Sequence, residues 1–257
     1  MRFSIEDWYK RFRIQSIWTK NIRTHLLNRI GHSNSERVLE IGCGTGAVLQ
    51  DFCEMGCQHL FGLDNHFRSL IYAGGIVKQG NFINGNAFHL PFRTASFELT
   101  YCHYLLLWLK KPINALMEMA RVTKPHGYVF AFAEPDYASR IVYPIEFESF
   151  SKLQNDSLLQ QGADISIGKR LKSLFLNTGL MDISTGIIGA EWKYENESRS
   201  SEFLMMKNDL NRINPSFDDS QLKLLMNRKD LINFVPTFYA CGRVNTNNQK
   251  IRAQSGG

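Results

Sequence analysis

The sequence predicts an α/β fold in which helices cover both faces of an open, doubly wound sheet. From residue 37 onward, short apolar runs alternate with longer segments of helical periodicity, which is typical of repeated βαβ units and a mostly parallel sheet. The first apolar run leads directly into a glycine-rich turn, Gly42-Cys-Gly-Thr-Gly46. A chain of 257 residues, 44% hydrophobic and 21% charged, is long enough for one such domain with elaborations.

Each element follows from the same alternation of apolar runs and helical segments. We predict strands at 37–41, 59–63, 81–85, 97–101 and 127–133, and helices at 46–55, 65–77, 111–123, 145–161 and 167–178. Pro125 and Gly127 end the third of these helices, and Gly179 ends the last. We expect a sixth strand from Leu180 and a seventh along 231–243, although Pro236 counts against an interior position for the seventh.

Helix-prone segments flank and interrupt the predicted sheet. Residues 1–35 read as amphipathic helices rich in aromatic side chains and are expected to form a cap over the ligand site. The predicted main domain is 36–243, with helical insertions at about 137–178 and 191–230 that form a lid. Residues 244–257 are expected to be a flexible tail.

The charge, the cysteines and the apolar stretches of the chain limit the classes of partner and the cellular compartment that we expect. The net charge of +6 is spread along the chain without a basic run, which disfavours a nucleic-acid partner. The five cysteines form no C-x-x-C pair, so we predict no metal site and a reducing cytoplasmic location. No apolar stretch is long enough for a membrane helix. We therefore expect a small-molecule partner and a monomer or homodimer.

The glycine turn has the spacing G-x-G-x-G instead of the dinucleotide spacing G-x-G-x-x-G. Without side chains, Gly42 and Gly44 allow a positive φ and close approach of a ligand, and Gly46 allows close packing of the next helix. Glu40 precedes the turn, and its carboxylate would repel a phosphate. A P-loop is excluded because no Gly-Lys-Ser/Thr follows.

Several motifs in the same order resemble those of the class I S-adenosylmethionine (SAM)-dependent methyltransferases. The stretch 38–46 resembles their first motif, Asp64 ends the second strand, 84–92 resembles their Gly-Asp-Ala-x-x-Leu-Pro-Phe segment, and 96–108 resembles their fourth strand. The resemblance is closest to the broad type 11 group. It implies a Rossmann-like sheet of seven strands whose last strand lies antiparallel between the fifth and sixth, with SAM as cofactor and S-adenosylhomocysteine as product.

The resemblance also implies which residues contact the cofactor. Asp64 would accept hydrogen bonds from the ribose hydroxyls, or else cap a helix. Asn86 stands where the family has an acidic residue that contacts the adenine amino group. Its alternative role is that of an ordinary turn residue without a ligand contact. Arg13 would reach the cofactor carboxylate, with core packing or surface solvation as its alternatives. The predicted cofactor-binding residues are Glu40, Gly42, Cys43, Gly44, Gly46, Asp64, Asn65, Asn86, Ala87, Cys102, His103 and Arg13.

Three residues are candidates for acid–base chemistry. His103 follows the fourth strand and has the best intrinsic pKa for a general base, but it could equally pack or hydrogen-bond the cofactor. Glu134 and Asp136 follow the fifth strand and could orient an acceptor or take a proton, or else belong to a structural loop. The Asn/Asp-Pro-Pro-aromatic motif of amino-directed enzymes and the Pro-Cys pair of cytosine C5 enzymes are absent from the sequence.

The resemblance therefore favours a methyltransferase that acts on a small molecule, with the acceptor atom open. Methylation of RNA or protein is the second enzymatic alternative and predicts a continuous basic face. A SAM-binding regulatory protein without transferase activity is the third, because Asn86 departs from the family pattern and no base is obvious.

Overall fold

The computed structural model describes residues 4–189, 196–214 and 218–245, with a seven-stranded sheet as its centre. The strands are β1 (Arg37–Ile41), β2 (His59–Asp64), β3 (Asn81–Asn84), β4 (Phe97–Cys102), β5 (Thr123–Pro135), β6 (Ile141–Tyr143), β7 (Met181–Ile188), β8 (Ile232–Phe234) and β9 (Thr237–Arg243). The helices are α1 (Ile5–Arg29), α2 (Ala47–Glu54), α3 (Phe67–Ile76), α4 (Pro112–Val122), α5 (Glu148–Gln160), α6 (Ile167–Leu176), α7 (Asn196–Ile213) and α8 (Ser220–Met226).

The sheet has the strand order β3-β2-β1-β4-β5-β9-β7. Strands β1 to β5 pair in parallel, and β9 lies antiparallel between β5 and β7. The predicted Rossmann-like topology, with its last strand antiparallel, is therefore confirmed. Because parallel strands end at the same edge, the glycine turn, Asp64 and His103 all lie at the carboxyl edge of the sheet.

The predicted seventh strand is wrong as a single element, because Pro236 divides it. β8 precedes the proline and pairs with β6 in a separate two-stranded sheet, whereas β9 follows it and enters the main sheet. Proline has no N–H to donate to a ladder, so neither strand extends across it. Its carbonyl accepts the Asp136 N–H at 2.8 Å, which ties this break to the end of β5.

The fifth strand also begins earlier than predicted, at Thr123 instead of residue 127. Thr123 follows α4 directly, and its Oγ1 lies 2.7 Å from the Met119 carbonyl oxygen and 2.8 Å from Thr100 Oγ1. A register shift between Phe97 and Leu99 absorbs the irregular backbone around Pro125. The Pro-Gly signal thus marks a bulged strand start and not a loop.

The described part of the N-terminal region is a single helix, α1, in place of the several helices predicted. Ser4 and Asp7 form a capping box at its start. The buried face of α1 carries polar side chains, whereas Ile17 and Trp18 are exposed. The polar part of this face packs on α2 through hydrogen bonds and ion pairs, whereas Leu26 and Leu27 at its C-terminal end join the apolar core. Residues 1–3 lie outside the described residues.

The apolar core lies on both faces of the sheet, and a third cluster lies beneath the insertions. Helix α6 packs on the sheet through Ile167, Leu171 and Phe175, which join one of the two main clusters. The third cluster consists of Phe147, Phe150, Met206, Leu210, Leu222, Leu225, Met226 and Leu231. Helices α5, α7 and α8 therefore share a core of their own, which we call the insertion core.

The boundaries of the predicted cap, lid and tail stay predictions, and 190–195, 215–217 and 246–257 lie outside the described residues. Across 4–189, 196–214 and 218–245, no helix has the length and apolar character needed to cross a bilayer.

Candidate functional site

The glycine turn is built from three left-handed residues, with φ of 73° at Gly42, 50° at Gly44 and 78° at Gly46. The N–H groups of Gly42 and Cys43 both donate to the Leu63 carbonyl oxygen, at 2.7 and 3.1 Å. The turn is therefore fastened to the end of β2 by its backbone, and the side chains of Leu105 and Phe12 lie close over Gly42 and Gly44. Cys43 is buried, and its burial raises the pKa of the thiol.

Asp64 joins the glycine turn to the start of α3. Its Oδ2 accepts the Gly44 N–H at 2.8 Å, and its Oδ1 accepts the His66 N–H at the same distance. Asp64 is not the N-cap of α3, because that position is His66. Each carboxylate oxygen can accept a second hydrogen bond, so Asp64 keeps lone pairs for ribose hydroxyls. Two such oxygens beside the glycine turn fit a nucleoside with vicinal hydroxyls. Asn65 is exposed next to Asp64.

Glu40 is buried in β1, directly before the turn. Its carboxylate is 2% exposed and accepts the Tyr101 hydroxyl at 3.0 Å. It also interacts with the Leu49 N–H in the first turn of α2. Burial raises the pKa of Glu40 well above its ordinary value. This geometry supports the turn and the start of α2 from below.

Asn86 lies in an exposed turn after β3. Its Oδ1 accepts the Phe88 N–H at 2.9 Å, and its carbonyl oxygen accepts the His89 N–H at 3.0 Å. The turn role considered for Asn86 is therefore present, and one lone pair of Oδ1 remains for an adenine amino group. Ala87 follows it, half-buried.

His103 and Cys102 lie at the end of β4, beside the glycine turn. Cys102 pairs in register with Ile41 of β1, and a Cβ added at Gly42 would be 2.7 Å from Leu105 Cδ1. The Nε2 of half-buried His103 is 2.8 Å from Thr19 Oγ1 of α1. Burial, and then the charge of Arg23, lower the pKa of His103 well below its ordinary value.

Glu134 is fully buried and caps a short 3₁₀ helix, Leu106–Trp108. Its Oε1 accepts the N–H groups of Leu105 and Leu106 at 3.0 and 2.9 Å, and its Oε2 accepts that of Leu107 at 3.2 Å. Burial outweighs these bonds and raises the pKa of Glu134 to about 7. This arrangement matches the structural alternative considered for the residue.

Asp136 is also fully buried and caps α6. Its Oδ2 accepts the Lys169 N–H at 3.0 Å, and its Oδ1 lies 3.5 Å from the Lys169 ammonium. Both acidic candidates, Glu134 within β5 and Asp136 directly after it, thus bind helix starts, and their geometry resembles that of N-terminal caps.

Replacing Glu134 by Ala is expected to destabilise the protein by about 1–3 kcal/mol, because three N–H groups lose their acceptor. Glu134→Gln is the matched control, since its amide oxygen still accepts two of the three bonds. Chemical denaturation of both variants measures the difference. Equal stability of the wild type and the Ala variant would contradict the capping role.

The same residue predicts a dependence of stability on pH. The pKa of Glu134 in the folded protein, about 7, is above its ordinary 4.5. The folded state therefore holds this proton more tightly than the unfolded state, so this contribution is complete below pH 4.5 and is lost as the pH rises through 7. Glu134→Gln should flatten that part of the stability curve in denaturation experiments between pH 4.5 and 8. An unchanged slope in the variant would assign the dependence to another group.

Arg13 of α1 contacts α2 at Ala47, the residue that directly follows the glycine turn. Its guanidinium donates to the Ala47 carbonyl oxygen at 3.2 Å, and it forms ion pairs with Asp51 and Glu54. The carboxylates that Arg13 binds thus belong to the protein itself.

Five further residues near the site were not among the predicted ones. Phe12 lies over the turn, since a Cβ at Gly44 would be 3.2 Å from its Cε2. Thr19 contacts His103, and Arg23 pairs with Asp51. Thr19, Arg23 and Asp51 are all buried. The polar residues Ser16, Thr19 and Arg23, spaced along one face of an aromatic-rich helix, were the signal that could have identified this face.

Replacing Gly46 by Ala is expected to destabilise the turn by about 1–3 kcal/mol. The residue has a φ of 78°, and its new Cβ would be 3.1 Å from the Ala73 Cβ of α3. Gly75→Ala in α3 is the control. No atom lies within 4 Å of its new Cβ, so this change should stabilise the protein by about 0.5–1 kcal/mol. Thermal denaturation compares the two. A Gly46→Ala variant as stable as the wild type would contradict the close packing of α3 on the turn.

Comparisons with known proteins agree with this geometry. The sequence model described as "Methyltransferase domain" matches residues 39–131. A similar relative is an O-methyltransferase of Aspergillus nomiae, 30% identical over 167 residues that make up 63% of this chain and 71% of the relative. An uncharacterized methyltransferase of Schizosaccharomyces pombe is 26% identical over 187 residues, 68% of this chain and 66% of that protein. The chain thus spans slightly less than two thirds of that relative's length.

Solved structures extend the likeness to the fold. A putative methyltransferase from Bacillus halodurans superposes with a TM-score of 0.59 at 15% identity, covering 87% of this chain and 98% of that one. At this identity the likeness shows the shared fold alone, and it includes the seven-stranded sheet described above.

Proposed function

This chain belongs to the class I SAM-dependent methyltransferases, and from that premise we propose that it transfers the methyl group of SAM to a small molecule. The observation that carries the proposal is Asp64, whose carboxylate lies between the left-handed glycine turn and α3 at the carboxyl edge of the sheet. In that position it can hold a ribose by two hydroxyls. The cofactor supplies a methyl group already activated on a sulfonium.

The residues around this edge would divide the work of binding. The turn at Gly42, Gly44 and Gly46 would admit the amino-acid end of the cofactor, with Glu40 below it, and Asn86 and Ala87 would meet the adenine. Cys102 and His103 would lie next to the reacting methyl group. Because the donor is activated, much of the catalysis can come from aligning and desolvating the acceptor.

An organic acceptor suits the aromatic side chain beside the proposed site. Phe12 of α1 lies against the turn at Gly44. Other relatives are named demethylmenaquinone methyltransferase and sterol 24-C-methyltransferase, which act on small organic molecules by their names. All five cysteines are free thiols, which supports a reducing cytoplasmic location.

A catalytically inactive SAM-binding protein is the second candidate. Glu134 and Asp136, two of the candidate bases, cap helices, and the Asn86 side chain accepts a hydrogen bond within a turn. These three side chains therefore have structural roles. This candidate predicts cofactor binding without turnover.

Release of S-adenosylhomocysteine from SAM decides between these candidates. The protein is incubated with SAM and one class of acceptor at a time: quinols, sterols, carboxylic acids, RNA or a protein mixture. We expect product release with a small molecule. Transfer to RNA or protein would contradict the proposed acceptor class, and binding without transfer to any acceptor would favour the inactive candidate.

A further inference from the structure

Thr19 connects α1 to His103 through a buried chain of polar contacts. Its Oγ1 lies 2.8 Å from His103 Nε2, and it also accepts a hydrogen bond from Arg23 Nη1. Arg23 in turn pairs with Asp51, and all of Thr19, Arg23 and Asp51 are 2% exposed. A charged pair behind Thr19 therefore fixes this hydroxyl against the imidazole.

The single proton of the Thr19 hydroxyl has three acceptors within reach. The Gln15 and Ser16 carbonyl oxygens lie at 3.2 and 3.1 Å, and His103 Nε2 is nearest at 2.8 Å. The Ser16 carbonyl oxygen belongs to the backbone of α1 and already accepts a hydrogen bond from Arg23 Nη1 at 2.9 Å. Arg23 occupies one lone pair of the hydroxyl oxygen, and Nε2 is the nearest acceptor for the hydroxyl proton, so we assign the hydroxyl as the donor to Nε2.

A donor at Nε2 selects one form of the histidine. The ring must then carry its proton on Nδ1 and remain neutral, because an imidazolium has no lone pair on Nε2. The burial of the ring and the nearby Arg23 charge act in the same direction, since both lower its pKa. The adjacent Tyr104, with ring centroids 4.8 Å apart, has a raised pKa from burial and remains a phenol.

The acidic residues near this edge are also in use. Glu134 accepts three backbone N–H groups, and Asp136 caps α6 with one oxygen and faces the Lys169 ammonium with the other. Neither side chain can approach an acceptor without releasing the start of a helix. An acceptor that had to lose a proton during transfer would find none of the three predicted candidates free to take it.

We propose that Thr19 is a positioning residue that fixes His103 as a neutral hydrogen-bond donor through Nδ1, and that the methyl acceptor is an oxygen acid already ionised when it binds, such as a carboxylate or an acidic enol or phenol. This inference rests on the proposed function. The oxyanion attacks the methyl carbon, an O–C bond forms, the S–C bond breaks, and its electron pair stays on sulfur. The positive sulfonium and the negative oxygen are both neutralised, so no proton is moved.

The histidine form is measured by nitrogen-15 NMR of the ring in the whole protein at pH 7, without ligand. The His103 signals are assigned by their loss in His103→Gln. We expect a neutral ring with its proton on Nδ1 in the wild type and in Thr19→Ser, and transfer of the proton to Nε2 in Thr19→Val. A proton on Nε2 in the wild type, or an unchanged form in Thr19→Val, would overturn the role of Thr19.

The acceptor class is measured with SAM and paired acceptors of matched shape: aryl and acyl carboxylates and hydroxyquinones against the corresponding alcohols and amines. We expect transfer to acids only, with Thr19→Val lowering kcat more than SAM affinity and Thr19→Ser restoring it. Transfer to an alcohol or amine, or to none of the acids, would overturn the acceptor class. If the wild-type protein does not bind S-adenosylhomocysteine, the proposed function fails instead. The NMR measurement still tests the role of Thr19 in that case, because it needs no ligand.

Discussion

Replacing Asp51 by Ala is expected to destabilise the protein by about 3–5 kcal/mol, the largest change in stability predicted for this chain. Asp51 Oδ2 accepts from Arg23 and Ser16, and its Oδ1 accepts from Arg13. Arg23 is 2% exposed, so the variant leaves a buried guanidinium without its carboxylate. That uncompensated charge, more than the lost attraction, sets the size of the effect.

Chemical denaturation followed by circular dichroism measures this change. Glu54→Ala is the matched control, because Glu54 also pairs with Arg13 but its side chain is 45% exposed, and exposed pairs are worth about 0–1 kcal/mol. A loss below about 1 kcal/mol in Asp51→Ala would show that α1 is not held to α2 by this pair. The packing of Phe12 over Gly44 would then need another cause.

Replacing Asp64 by Ala is expected to weaken binding of S-adenosylhomocysteine at least about tenfold, which corresponds to about 1.4 kcal/mol. The variant loses both the proposed ribose contacts and the acceptor for the Gly44 and His66 N–H groups. The turn would therefore lose its fixed position as well as its ligand contact. Calorimetric titration measures the affinity.

Asp64→Asn separates these two losses. Its amide oxygen can still accept one backbone N–H, whereas its charge is gone, so we expect an affinity between those of the wild type and the Ala variant. Denaturation of both variants shows whether they are folded. Unchanged affinity in a folded Asp64→Ala variant would place the cofactor elsewhere.

The sheet could be predicted from the sequence because its signals are local. Apolar runs and Pro or Gly punctuation identified five parallel strands, and the family resemblance supplied the antiparallel position of β9. The division at Pro236 was not predicted because pairing of β8 with β6 joins residues far apart in the chain. Periodicity alone cannot tell which sheet a short alternating run will enter.

The site was predictable to the extent that it follows from backbone geometry. Gly42 and Gly44 adopt the predicted left-handed conformation, and Asp64 lies beside them. Gly46 is also left-handed, which its predicted role in helix packing did not include. Sequence could not distinguish a catalytic carboxylate from a helix cap at Glu134, because both occur at the carboxyl end of a strand. The contact of Thr19 with His103 joins positions 84 residues apart and has no local signal.

Calorimetric titration of the intact protein with S-adenosylhomocysteine, with NAD as the control ligand, tests the central claim most directly. It needs no knowledge of the acceptor and depends only on the edge formed by the glycine turn and Asp64. We predict micromolar binding of S-adenosylhomocysteine and none of NAD. Binding of NAD alone, or of neither ligand, would contradict the account.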